Sequence, residues 1–335
     1  EAISFDGYLG RSAVAVNGTR GKEETVTNLH TDGFGVFGYQ NSSATHSATE
    51  SFDANLFNNQ KVTYDNTNSK WTYSPLKFWP SDGHIDFLAY APYGAGTFED
   101  TYHLKFNVSE TITDQKDLLW TNATSKITAD ITKKKVNFQF HHALSRLGYT
   151  VRLTGDYSSS NVTFTLKKIT LAGSADETKK AFYKEGTIDL SKTPSSEGLW
   201  TNLSSDKQNF LNWFSGDKPL SNTETKNPDN EYLFVIPQNF SKDKTPGGSD
   251  VDELYVIVQY TIDYTDGTTP SVTNTVYKQI KKDFKQGKAY MLNLTLGLPI
   301  EFDVNVTGGI GAGIDGWGTD DGINIGSNDT PWERK

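Results

Sequence analysis

Apolar and polar side chains alternate with a period of two along most of this chain, and no other pattern in it bears so directly on the fold. The alternation is cleanest where Ile300, Phe302, Val304 and Val306 are interleaved with Glu301, Asp303, Asn305 and Thr307. Successive side chains of a strand point to opposite faces, so such a run makes one buried and one wet face. Val136, Phe138 and Phe140 alternate with Asn137, Gln139 and His141; the period breaks over residues 142–148 and resumes at Tyr149, Val151 and Leu153. We read two strands, or one strongly bent strand, with the residues ALSRL as a turn between them. Comparable sets of strands lie on either side, which makes this stretch the seam between two β-domains.

Other strands are read at residues 34–39, 51–57, 62–64 and 71–73, then at Ile85–Ala91 and Leu104–Val108 by their alternation. In the second half Val162, Phe164 and Leu166 alternate, and Ile169 and Leu171 fall out of phase, as at a bulge. Residues 232–236, 254–262, 273–280 and 290–296 complete the set, with Asp266-Gly267 as a hairpin turn. Short strands separated by Gly, Asn, Asp and Ser predict a sandwich rather than βαβ units. Residues 19–32 are polar and charged and read as an exposed linker. Ser205 and Gln208 have capping-box spacing, which predicts a single helix near residues 206–214. The fold class expected is all-β, in two domains at residues 21–133 and 134–306. A strand segment at 1–20 and a Gly- and Asp-rich tail at 307–335 flank them.

Composition closes several classes of function. The 335 residues include no Cys, which excludes disulfides, thiolate catalysis and Cys-based zinc sites. The net charge of −9 argues against a nucleic-acid partner, and no run approaches the ~18 apolar residues of a spanning helix. His141-His142 lacks the spacing of a metal site, since neighbours on a strand diverge; one ring hydrogen-bonded at the break and the other exposed is the expectation. Asp315, Asp320 and Asp321 miss the EF-hand pattern, and residues 308–316 lack the helix that a phosphate-cradling loop needs. Trp71, Trp79 and Trp120 fall in strand or turn patterns and read as core. No catalytic set emerges, and no cofactor.

The N-terminal residues carry two small strand signals: Ile3 and Phe5, then Val14 and Val16. Four such anchors would each contribute roughly 1.5–3 kcal/mol when buried. A removable strand of this kind would leave a groove open to any strand of matching alternation. Residues 300–306 fit as that donor strand or as the closing strand of their own domain.

The segments FGVFGY at 34–39, PLKFWPSDGHIDFLAYAP at 75–92, DLLW at 117–120, VNFQFHHALSRLGYTV at 136–151, FVIPQ at 234–238 and GKAYMLNLTL at 287–296 occur in an order that resembles the fimbrillin (Mfa-like) family. These are subunits of Bacteroidales type V pili. The resemblance implies two transthyretin-like sandwiches and no enzymatic activity. It also implies export as a lipoprotein whose lipidated Cys lies upstream of residue 1, and assembly with other fimbrillin subunits into outer-membrane-anchored fimbriae at the cell surface, with host or bacterial surface ligands as further partners. In that family an arginine-specific protease removes the N-terminal segment. The matching bond here is Arg20-Gly21, where the family often has Ala in place of Gly21; Arg11-Ser12 is the competitor. Trp317 is the nearest match to the Trp near which the family usually ends. Two rivals remain open from the residues alone: a surface glycan-binding lipoprotein and a calcium-dependent adhesin at a pilus tip.

Overall fold

The structure is a computed structural model and describes residues 1–8, 26–43, 52–126, 135–192, 198–297, 303–307, 311–312, 318–319 and 333–334. Its principal strands in chain order are β1 (Ser4–Tyr8), β2 (Phe34–Asn41), β3 (Phe57–Asp65), β4 (Lys70–Thr72), β5 (His84–Ala91), β6 (His103–Asn107), β7 (Leu119–Lys126) and β8 (Lys135–Gln139). They continue as β9 (Ser145–Leu153), β10 (Val162–Ala172), β11 (Phe210–Leu220), β12 (Tyr255–Tyr264), β13 (Val272–Gln279), β14 (Lys288–Leu296) and β15 (Asp303–Thr307). The fold is all-β, as the alternation predicts.

A six-stranded sheet runs in the order His141–His142, β7, β5, β2, β3, β4. Its central strand is buried along its whole length. Ile85, Phe87, Ala89 and Ala91 point into a smaller core with Phe34, Val36 and Leu119, while Leu88 and Tyr90 point into a larger core with Phe37 and Trp120. The sheet is thus a wall shared by two cores. Its glycines make room for facing rings: a Cβ on Gly35 would lie 2.2 Å from the Tyr90 ring, and one on Gly38 would lie 2.7 Å from Phe57.

The larger core lies mainly between two further sheets. In one, β9 and β14 pair in parallel from Arg146↔Ala289 to Leu153↔Leu296, and β15 closes against β14. The other runs β11, β10, β12, β13, then Glu333–Arg334. Strand Glu185–Asp189 pairs with β6, which ties the two halves of the chain together. Val136, Phe138 and Phe140 pack in the smaller core, and the chain joins the larger one at Ala143.

Several local expectations are corrected. No helix forms near residues 206–214: strand Lys207–Gln208 is followed by β11. Phe210, Trp213 and Phe214 have helical spacing because the β10–β11 register slips there. Ile169 faces Phe214 and Leu171 faces Phe210, so two steps on β10 span four on β11. The residues SRL of the expected turn are the first residues of β9, and the strand expected from residue 51 starts at Phe57. The expected linker ends in helix α1 (Val26–Asp32), whose Leu29 is fully buried and whose His30 stacks on Tyr64 at 3.6 Å. The hairpin between β12 and β13 and the bulge in β10 are as predicted.

The slot filled by the N-terminal strand

The chain enters the smaller core at its first residues. The Ile3 N–H donates to the Lys77 carbonyl at 2.8 Å, and the Trp79 N–H donates to the Glu1 carbonyl at 3.2 Å. The Tyr73 hydroxyl donates to the Ile3 carbonyl at 2.6 Å. Past this bridge, β1 turns to run parallel to β8, from Ser4↔Lys135 to Tyr8↔Gln139. Backbone pairing thus secures the segment on both sides of Ile3.

Side chains secure it further. Ile3 and Phe5 are 1% and 2% exposed. The Phe5 ring is stacked on Phe138 at 5.6 Å and meets Phe57, Tyr73 and Phe87 at 5.4, 5.4 and 5.7 Å. Offset and edge-on geometries of this kind add about 0.5–1.5 kcal/mol per pair beyond area burial. Burial pushes the Tyr73 hydroxyl pKa up, which keeps it a donor to Ile3 across the physiological range. Beside the slot, Leu76 and Phe78 stand 55% and 60% exposed. They alternate with half-buried Lys77 and buried Trp79, so their strip faces outward by strand geometry.

Ile3 and Phe5 are therefore buried together in the smaller core. Val14, Val16, Arg20 and Gly21 lie outside the described residues, as do Arg11, Ile300, Phe302 and Trp317. Val304 and Val306 are fully buried, on β15 beside β14.

In the short strand His141–His142, the His142 Nδ1 lies 2.9 Å from an Asp117 carboxylate oxygen, with both side chains fully buried. His141 is half-buried rather than exposed, and burial, with the neighbouring His142, lowers its pKa. Trp71, Trp79 and Trp120 are core residues, at 7%, 9% and 0% exposure. Among the described residues no three His, Asp or Glu side chains are grouped to hold a metal ion, and Asp315, Asp320 and Asp321 lie outside them. Sequence reading missed the Tyr73 hydroxyl and the aromatic lining of the slot. Only the density of Phe and Tyr around residues 57, 73 and 87 hinted at it.

A protein-family model described as fimbrillin-like matches residues 19–317 of the chain. The chain belongs to the fimbrillin-like family. The family is one of fimbrial structural subunits, not of enzymes. This fimbrillin-like chain is 27% identical over 313 residues to the fimbrium subunit Fim1C of Phocaeicola vulgatus, covering 83% of the chain and 81% of that relative. It shares its fold with a fimbrial protein from Bacteroides vulgatus, at a TM-score of 0.67 and 21% identity, covering 91% of this chain and 98% of that one. Strand β1 precedes the segment that the family model matches.

Proposed function

We propose that the protein is a structural subunit of a surface fimbria that polymerises by strand exchange. An arginine-specific protease cuts at Arg20-Gly21, the first strand leaves, and a strand from another subunit enters the vacated slot. The observation that carries this reading is the seating of Ile3 and Phe5. The two side chains contribute about 3–6 kcal/mol by burial, and each net ladder hydrogen bond adds roughly 0.5–1.5 kcal/mol. That sum approaches a whole domain's stability of about 5–15 kcal/mol. An emptied slot would present unpaired backbone and four aromatic rings to water, which favours recapture of a strand.

The candidate donor is residues 300–306. Val304 and Val306 supply two buried anchors at alternate positions, and their strand is held by β14 alone among the described strands. Release from β14 would expose Leu292 and Leu294, so donation is favourable only when the slot of another subunit returns comparable burial. The outer-membrane anchor and the lipidated upstream Cys belong to this reading as well.

Limited digestion with an arginine-specific protease tests it. Cleavage after Arg20 is expected to lower the melting temperature of the monomer and to yield ladders of higher oligomers, with Arg20→Ala resistant and monomeric. A cleaved chain that stays monomeric and melts unchanged would remove the proposal.

A further inference from the structure

The larger core carries a cleft of about 620 Å³ on its surface, away from the slot. One wall is residues 210–215 of β11, and the opposite wall is built from Glu110–Thr113 and from Asn230 and Glu231. We propose that this cleft is a binding site for a neutral oligosaccharide of about two or three rings, a size in keeping with ligand sites of about 300–1,000 Å³.

The walls are fixed before any ligand arrives. The buried Gln115 carboxamide accepts from the Phe234 N–H at 2.8 Å and donates to the Ser109 carbonyl at 3.1 Å, which ties the short 3-10 turn Ile112–Asp114 to the strand beyond Glu231. The Trp213 indole donates to the Glu231 carbonyl at 2.9 Å, which ties the second turn, Asp229–Glu231, to β11. Tyr149 stands edge-on to Trp213 at 5.0 Å, and its hydroxyl donates to Glu231 Oε2 at 3.5 Å. A preformed cleft spares a ligand the entropy of ordering loops.

The register slip in β11 supplies the chemistry. A regular strand would alternate, but Leu211 and Asn212 are both exposed, with Phe210 and Trp213 buried on either side. The bulge thus aims an apolar and an amide side chain into the same cleft. Asn212 and Asn230 both donate and accept, and Glu110 and Glu231 accept. Sugar hydroxyls also do both, so a polyhydroxylated ligand can satisfy all four while its C–H face lies on Leu211 and half-buried Phe214. The two carboxylates repel an anionic ligand, and neither makes a salt bridge with a described residue. An extended peptide is a poorer fit. Adding a strand needs evenly spaced N–H and C=O groups, whereas β11 is bulged at 211–213 and continues into Gly216 and Pro219.

The experiment is saturation-transfer NMR and calorimetry on the full chain with lactose, chitotriose and mannotriose. Sialyllactose is the anionic control, and a peptide of alternating lysine and valine is the competing class. At least one neutral sugar is expected to bind. Asn212→Ala is expected to weaken it about tenfold through lost hydrogen bonds. Leu211→Arg, which fills the cleft from an exposed position, is expected to abolish it, and both variants should melt like the parent. Failure of all three neutral sugars, binding unchanged in both variants, or binding of the peptide in their place overturns the proposal. None of these outcomes bears on strand exchange, which is read from oligomer ladders.

Discussion

Phe5 is the residue on which the slot turns, because four rings close around it and leave it 2% exposed. Phe5→Ala is expected to cost about 3–5 kcal/mol, the usual range for emptying an aromatic site in a core. Urea denaturation of the uncleaved chain measures it. Glu231 answers to pH instead. Burial, opposed by the Tyr149 hydrogen bond and the Lys218 charge, holds its carboxyl above the ordinary value. The folded chain therefore binds that proton more tightly than the unfolded chain does. Stability from this group is present below the ordinary carboxylate range and is lost as pH rises through the raised value. Glu231→Gln mimics the neutral form, so it is expected to melt above the parent at pH 7 and level with it near about pH 3. A thermal-shift series across pH reads the convergence; equal melting at every pH would show that burial of the carboxylate carries no net cost.

At the scale of elements, β15 and β1 are each bound along one principal neighbour, β14 and β8. A chain ending at residue 297 keeps its slot and lacks the candidate donor. Once clipped, it is expected to accept a strand from an intact subunit but to add nothing beyond itself, so mixtures should give shorter ladders on native gels as its share rises. Unchanged ladder length would place the donor elsewhere. Elements also show where sequence reading works. The pair β12–β13 was legible because each strand keeps its period of two on either side of Asp266-Gly267, whereas β14 and β15 were legible as strands and only the structure pairs them. β11 was misread because Ser205 and Gln208 have the spacing of a capping box, while the bulge at 211–213 interrupts the period of two that would have marked a strand. The helix Val26–Asp32 was missed because Leu29, fully buried, stands among Asn28, His30, Thr31 and Asp32, polar neighbours that give no repeating apolar face.

For the whole molecule, the exposed Leu76 and Phe78 flank the backbone that pairs with Glu1 and Ile3, so under the proposed strand exchange they border the place an incoming strand would take. Replacing both with Ser removes apolar surface that the folded monomer leaves exposed. The double variant is expected to melt within about 0.5 kcal/mol of the parent while polymerising more slowly after cleavage, as light scattering would follow. Polymerisation at the parental rate would mean that the strip stays outside the contact.

The sequence by itself determined the all-β class, most of the strands, the core positions of the tryptophans and the absence of thiol chemistry. These depend on local alternation and on residue inventory, which need no partner strand to be read. Tertiary structure decided which core each face serves. The pattern at residues 85–91 marks one buried face, and only the packing of a second core against Leu88 and Tyr90 buries the other. It also decided the slot: Tyr73, Phe87 and Phe138 meet Phe5 from sequence distances of 68, 82 and 133 residues, a convergence that periodicity within one strand does not encode.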